Sequence, residues 1–96
     1  MPIYLTAILK SKTDKIQELK SVLENMVVNT KKEEACEKYD LQQGLEDEMV
    51  FIFHEIWKSK EGLDAHNQQA YIQEFVDKAP QLLEEPAKIY LAKIIS

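Results

Sequence analysis

The sequence predicts an α+β fold of ferredoxin-like βαββαβ order with an antiparallel sheet, and three observations carry that prediction. Four segments are strand-like: Ile3 to Leu9, Ala35 to Leu41, Met49 to Trp57 and Ile89 to Ile95. Two segments with apolar residues at helical spacing fall between the first and second strands and between the third and fourth. No linker, repeat or low-complexity stretch interrupts the 96 residues, so the expectation is a single domain spanning 1–96 built on a split βαβ unit used twice.

The first strand alternates, with Ile3, Leu5, Ala7 and Leu9 on one face and Tyr4, Thr6 and Ile8 on the other. Ser11 to Asp14 then reads as a helix start, a hydroxyl to accept an orphan amide proton and an acid for the positive helix end. The helix that follows has one stripe, Ile16, Leu19, Leu23, Met26 and Val27 with Val22 at its margin, on an otherwise charged surface. Thr30 to Glu34 is a polar link. Cys36, Tyr39 and Leu41 mark a weaker second strand, and Gln42 to Glu48, containing Gly44, reads as a hairpin connection. The third strand is rich in β-branched and aromatic residues on both faces and is predicted to be central. A second helix is predicted from about Lys60 to Lys78, ending before Pro80 because proline disfavours helical geometry in its predecessor. Gln81 to Glu85 adds a turn, and the last strand follows Pro86.

Helices on one face of such a sheet leave the other bare. The first, third and fourth strands are apolar on both faces, so a second cover is required, and another copy of the chain packed sheet to sheet about a two-fold axis supplies it. A homodimer through the sheet face is the expectation.

Composition removes several function classes. A net charge of -5 argues against binding a phosphate backbone, so no nucleic-acid partner is expected. No apolar run reaches about 18 residues, and the amino terminus has no basic region leading into an apolar one; no membrane partner and a cytoplasmic location are expected. One cysteine cannot form an internal disulfide, and no Cys/His cluster has zinc spacing, so no metal is assigned. With only Gly44 and Gly62, no nucleotide cradle is expected, and there is no Ser/His/Asp or CxxC pattern.

Candidate chemistry gathers on the second helix. Leu63, His66, Asn67, Ala70, Tyr71 and Glu74 share a face of mixed polarity. Such a face either lines a partly polar cavity or is a boundary stripe with its tips in water. His66 is the candidate general base or acid, since an imidazole titrates near neutrality. Asn67 and Tyr71 are candidate ligand contacts. Trp57 and Phe53 are core residues unless they reach the rim of a cavity, where they suit a flat aromatic ligand. Tyr39 and Tyr90 are possible walls. His54, on the opposite strand face from Phe53, belongs to the sheet or dimer surface. Glu55 lies among Phe51, Phe53 and Trp57, needs a partner if buried, and is read as half of a structural ion pair.

The run Glu55-Ile56-Trp57-Lys58-Ser59-Lys60-Glu61-Gly62-Leu63-Asp64-Ala65-His66 resembles the E-x-W-x-S-x-E-x-L-x-x-H signature of the antibiotic biosynthesis monooxygenase family, and Tyr39-Asp40-Leu41 resembles its second-strand tyrosine motif. The resemblance implies a dimeric α+β barrel with a pocket between sheet and helices in each subunit. It also implies a quinol-type monooxygenase that oxidises a small aromatic substrate with dioxygen as co-substrate and no other cofactor. Carried over by motif, His66 would be the base or orienting group, Trp57 a pocket wall and Tyr39 a weaker site residue. Two departures stand out. Ala35 replaces a frequent family glycine. The similar haem-degrading branch has a first-strand asparagine, absent from Tyr4 to Leu9, and a tryptophan one position farther from the histidine than Trp57 is from His66. Haem binding or degradation is therefore the alternative, and a non-catalytic dimeric ligand-binding or stress-response protein the third reading.

Overall fold

The computed structural model describes residues 1–96 and has the element order β1 (Ile3–Lys10), α1 (Ile16–Thr30), β2 (Cys36–Gln43), β3 (Val50–Trp57), α2 (Lys60–Asn67), α3 (Ala70–Leu82) and β4 (Lys88–Ala92). The four strands form one antiparallel sheet in the order β2-β3-β1-β4, so β3 is central as predicted. No helix is long and apolar enough to cross a membrane.

Register decides which side chains meet. Leu5 lies opposite Glu55, Ala7 opposite Phe53 and Leu9 opposite Phe51, and Tyr39 pairs with Glu55 from the other side. This face packs on the helices, with Leu19 and Leu23 of α1 fully buried against it. Truncating either leucine to alanine removes contacts on all sides, a loss of about 2–5 kcal/mol. The opposite face carries Tyr4, Thr6, Ile52, His54 and Ile56, all half-buried, and the exposed Ile8 and Tyr90.

Four element boundaries differ from the sequence reading. Ser11 does not cap α1. It is fully buried, its N–H donates to the Met49 carbonyl at 2.7 Å, and its hydroxyl donates to the Lys12 carbonyl at 2.7 Å. The end of β1 is clamped to the segment after α3 by a bridge between Ser11 and Leu83, so α1 starts later, behind Lys15, without a side-chain cap.

The predicted single second helix is two helices. Gln69 is extended at φ -63° and ψ 141°, and Gln73 Nε2 donates to the Asn67 carbonyl at 2.6 Å across the break. Neither glycine nor proline marks the break, so local propensity does not reveal it. Pro80 lies inside α3, which continues to Leu82. A proline there removes the bond to the Val76 carbonyl, and Val76 is 54% exposed, so water can replace the lost donor. The last strand is shorter than expected, ending at Ala92, and all of it is exposed at the sheet edge.

Two close approaches shape the connections between elements. In the β2–β3 hairpin, a Cβ on Gly44 would lie 2.5 Å from the Asp47 carbonyl oxygen. At the start of α2, Ser59 Oγ accepts from the Gly62 N–H at 3.1 Å, a side-chain N-cap. Gly62 faces Ala35, where a Cβ would come within 2.4 Å of the alanine Cβ. The backbone at Ala35 has no positive φ, so alanine is unstrained there and packs against the bare glycine.

Candidate functional site

The helix-covered face of the sheet does not close completely. Between β1, β3 and α2–α3 it leaves a cleft of about 560 Å³ whose walls are mainly apolar. Leu5, Ala7 and Phe53 form its sheet side, Met26 reaches in from α1, and Ile72 and Phe75 from α3.

His66 enters this cleft from the last turn of α2 and is 4% exposed. Its Nδ1 lies 2.8 Å from Glu33 Oε2. Glu33 sits in two consecutive turns after α1, held by its N–H to the Thr30 carbonyl and by the Cys36 N–H to its own carbonyl. The Tyr71 hydroxyl donates to the same Glu33 oxygen, and Thr30 Oγ1 is 3.2 Å from that hydroxyl. A carboxylate only accepts, so the proton of a neutral His66 rests on Nδ1 and Nε2 keeps its lone pair. Nε2 has no protein partner and is not sealed from solvent, and His66 is one of the residues that line the cleft.

The imidazole lies against an aromatic cluster. Its ring centre is 4.5 Å from that of Trp57 and 5.6 Å from Tyr39, and Tyr39 is 4.8 Å from Phe53. Burial, with the Glu55 charge adding to it, pushes the Tyr39 phenol far above its ordinary range, so it stays neutral. Burial and the bond to Glu33 push Tyr71 up to about 12.

Glu55 lines the cleft floor at 6% exposure. The expected ion pair is absent. Its partner is the Trp57 indole, whose Nε1 donates to Oε1 at 2.8 Å. With no cation to stabilise the anion, burial pushes the carboxyl up to about 7, the indole bond opposing and the Glu33 charge reinforcing the rise.

The structure thus brings His66, Tyr39, Phe53 and Asn67 to one cleft, with Asn67 at its exposed rim. It separates the others. Trp57 is not a pocket wall: it is fully buried behind His66 and Glu55, because β3 ends with its side chain under α2. Tyr71 does not line the cleft either, since the break at Gln69 turns α3; it faces a smaller groove of about 260 Å³ between α1 and α3. Tyr90 pairs with Thr6 on the bare sheet face, away from the cleft. Sequence reasoning missed Glu33, for which the polar link gave no signal, and misassigned Glu55, whose place among Phe51, Phe53 and Trp57 was the available clue.

A family profile described as antibiotic biosynthesis monooxygenase matches residues 2–78. The Bacillus subtilis (strain 168) protein named "Putative monooxygenase YcnE" is 33% identical over 87 residues, covering 91% of this chain and 92% of that protein. The Synechocystis sp. (strain ATCC 27184 / PCC 6803 / Kazusa) protein sll1783 is 33% identical over 93 residues, 97% of this chain; the chain spans 63% of that protein's length. Rv0793 from Mycobacterium tuberculosis superimposes with a TM-score of 0.93 at 21% identity, over 100% of this chain and 97% of that one, a likeness of fold.

Proposed function

The chain belongs to the antibiotic biosynthesis monooxygenase family, and from that premise we propose that it oxidises a small phenol or quinol with dioxygen as co-substrate, using only its own side chains. The observation that carries this reading is His66 in an apolar aromatic cleft, with Nδ1 tied to Glu33 and Nε2 open. A base so oriented can take a phenolic proton. The resulting phenolate is electron-rich enough to pass one electron to dioxygen, and the radical pair combines at an unsubstituted ring carbon ortho or para to the oxygen, the ortho carbon in a 1,4-quinol. Loss of water from that peroxide leaves the quinone. One oxygen atom enters the product, the other becomes water, and the four electrons come from the substrate.

Tyr39 and Phe53 would flank the ring and Asn67 would offer an amide at the mouth. The apolar lining favours the ring and excludes water from the anion. The same reading includes a homodimer through the bare sheet face, where Tyr4, Ile52 and Ile56 are only half-covered within one chain. Sedimentation at micromolar concentration checks it: a monomer would count against the dimer.

Oxygen uptake with menadiol-like quinols tests the reaction. Uptake well above autoxidation, lost in His66→Ala, is the expected result. Rates no higher than autoxidation would sink the reading. Added haem giving a Soret shift that His66→Ala abolishes would favour haem binding instead, since a free Nε2 also suits axial ligation. Neither response would leave a non-catalytic binding protein.

A further inference from the structure

Three glutamates line the cleft, and they differ in kind. Glu84 and Glu85 are exposed and each faces a lysine, Lys10 at 3.6 Å and Lys88 at 3.8 Å. Glu55 is buried and has no cation. Its Oε1 accepts from Trp57, whereas Oε2 has no protein partner and is not sealed from solvent, and the residue lines the cleft. The groups facing it are Leu5 of β1, Tyr39 and Cys36 of β2, Trp57 of β3, His66 of α2 across the indole, and Glu33 from the preceding loop. None is a lysine or arginine.

We infer that Glu55 is the proton shuttle of the oxygen chemistry, giving a proton to the peroxide formed on the substrate ring and taking one back from the ring carbon. This rests on the proposed reaction and adds its second half. His66 Nε2 first takes the phenolic proton. After oxygen adds to the ring carbon, Glu55 protonates the terminal peroxide oxygen. Its carboxylate then removes the hydrogen from that carbon, the freed electron pair forms the C=O bond, and the O–O bond breaks. The departing hydroxide takes the proton held by His66 and leaves as water. Both side chains return to their starting states, and phenol plus dioxygen becomes quinone plus water. A carboxyl pushed up to about 7 by burial is about half protonated at neutral pH, so it can act in both directions.

The test uses Glu55→Gln, which keeps an oxygen for the indole N–H but holds no transferable proton. Loss of a general acid–base group predicts a kcat fall of about 100-fold or more with KM little changed. Wild-type kcat should decline as pH rises through about 7, a limb absent from the variant. The unprotonated peroxide stalled on the ring should revert by C–O homolysis to superoxide, which dismutates, so hydrogen peroxide released per oxygen consumed should also rise, which a merely structural residue would not cause. Wild-type turnover with an unchanged Glu55→Gln, or a wild-type kcat flat from about pH 6 to 8, would overturn the shuttle alone. No wild-type turnover would sink the proposed reaction and the shuttle together. Should the variant not fold, the wild-type pH profile still decides.

Discussion

A buried carboxyl that resists ionisation leaves a mark on stability that needs no substrate. In the folded protein Glu55 is lifted from 4.5 to about 7, chiefly by burial. At 1.36 kcal/mol per tenfold change in proton affinity, the ionised form is disfavoured by about 3 kcal/mol relative to the unfolded chain. Between these two values the native state holds more protons than the unfolded state, so stability falls as pH rises through the window and levels off above about 7. Glu55→Gln removes this term and keeps the shape. Urea unfolding of both proteins at pH 4.5 and pH 8 isolates it, because titrations common to both cancel. The stability of the variant relative to wild type should improve by about 3 kcal/mol between the two pH values. Trp57→Phe removes the only donor to Glu55, so its folded carboxyl should rise further and the stability loss should extend to higher pH. A relative stability of Glu55→Gln that stays constant within about 1 kcal/mol, or moves the other way, would refute the burial argument.

Other perturbations probe the scaffold. Glu33→Gln replaces the charged acceptor of His66 Nδ1 and of the Tyr71 hydroxyl, and turnover in the oxygen-uptake assay should drop about tenfold or more, the usual cost of losing a group that orients a histidine; unchanged turnover would remove Glu33 from the site. Gly62→Ala forces its new methyl onto Ala35 at 2.4 Å and should lower stability by about 1–3 kcal/mol in denaturant unfolding, with a large part recovered in the Ala35→Gly background. Ser59→Ala deletes the α2 cap and should cost about 1 kcal/mol by the same measurement.

How far the sequence could be read depends on how local each cause is. Strand alternation and the α1 stripe are consequences of neighbouring residues and predicted β1, β3 and α1 with small errors at the ends. Ser11 carried a capping signature, but its N–H and hydroxyl are taken by Met49 and Lys12 where β1 meets the segment after α3. The break at Gln68 and Gln69 has no punctuating residue; a side chain four positions on, Gln73, secures it from outside. That break decided which of the mixed stripe reached the cleft, keeping His66 and Asn67 and turning Tyr71 away.

By itself, the sequence determined the fold class and the family and singled out a candidate histidine, because periodicity and the run from Glu55 to His66 are written in consecutive residues. Tertiary structure alone decided the chemistry available to that histidine. Glu33 lies 33 positions away and meets His66 only when the turns after α1 settle against α2. Glu55 owes its raised proton affinity to the burial of an entire strand face and to an indole where a cation was expected. Solvent exclusion and charge placement are properties of the assembled face, and no local pattern encodes them.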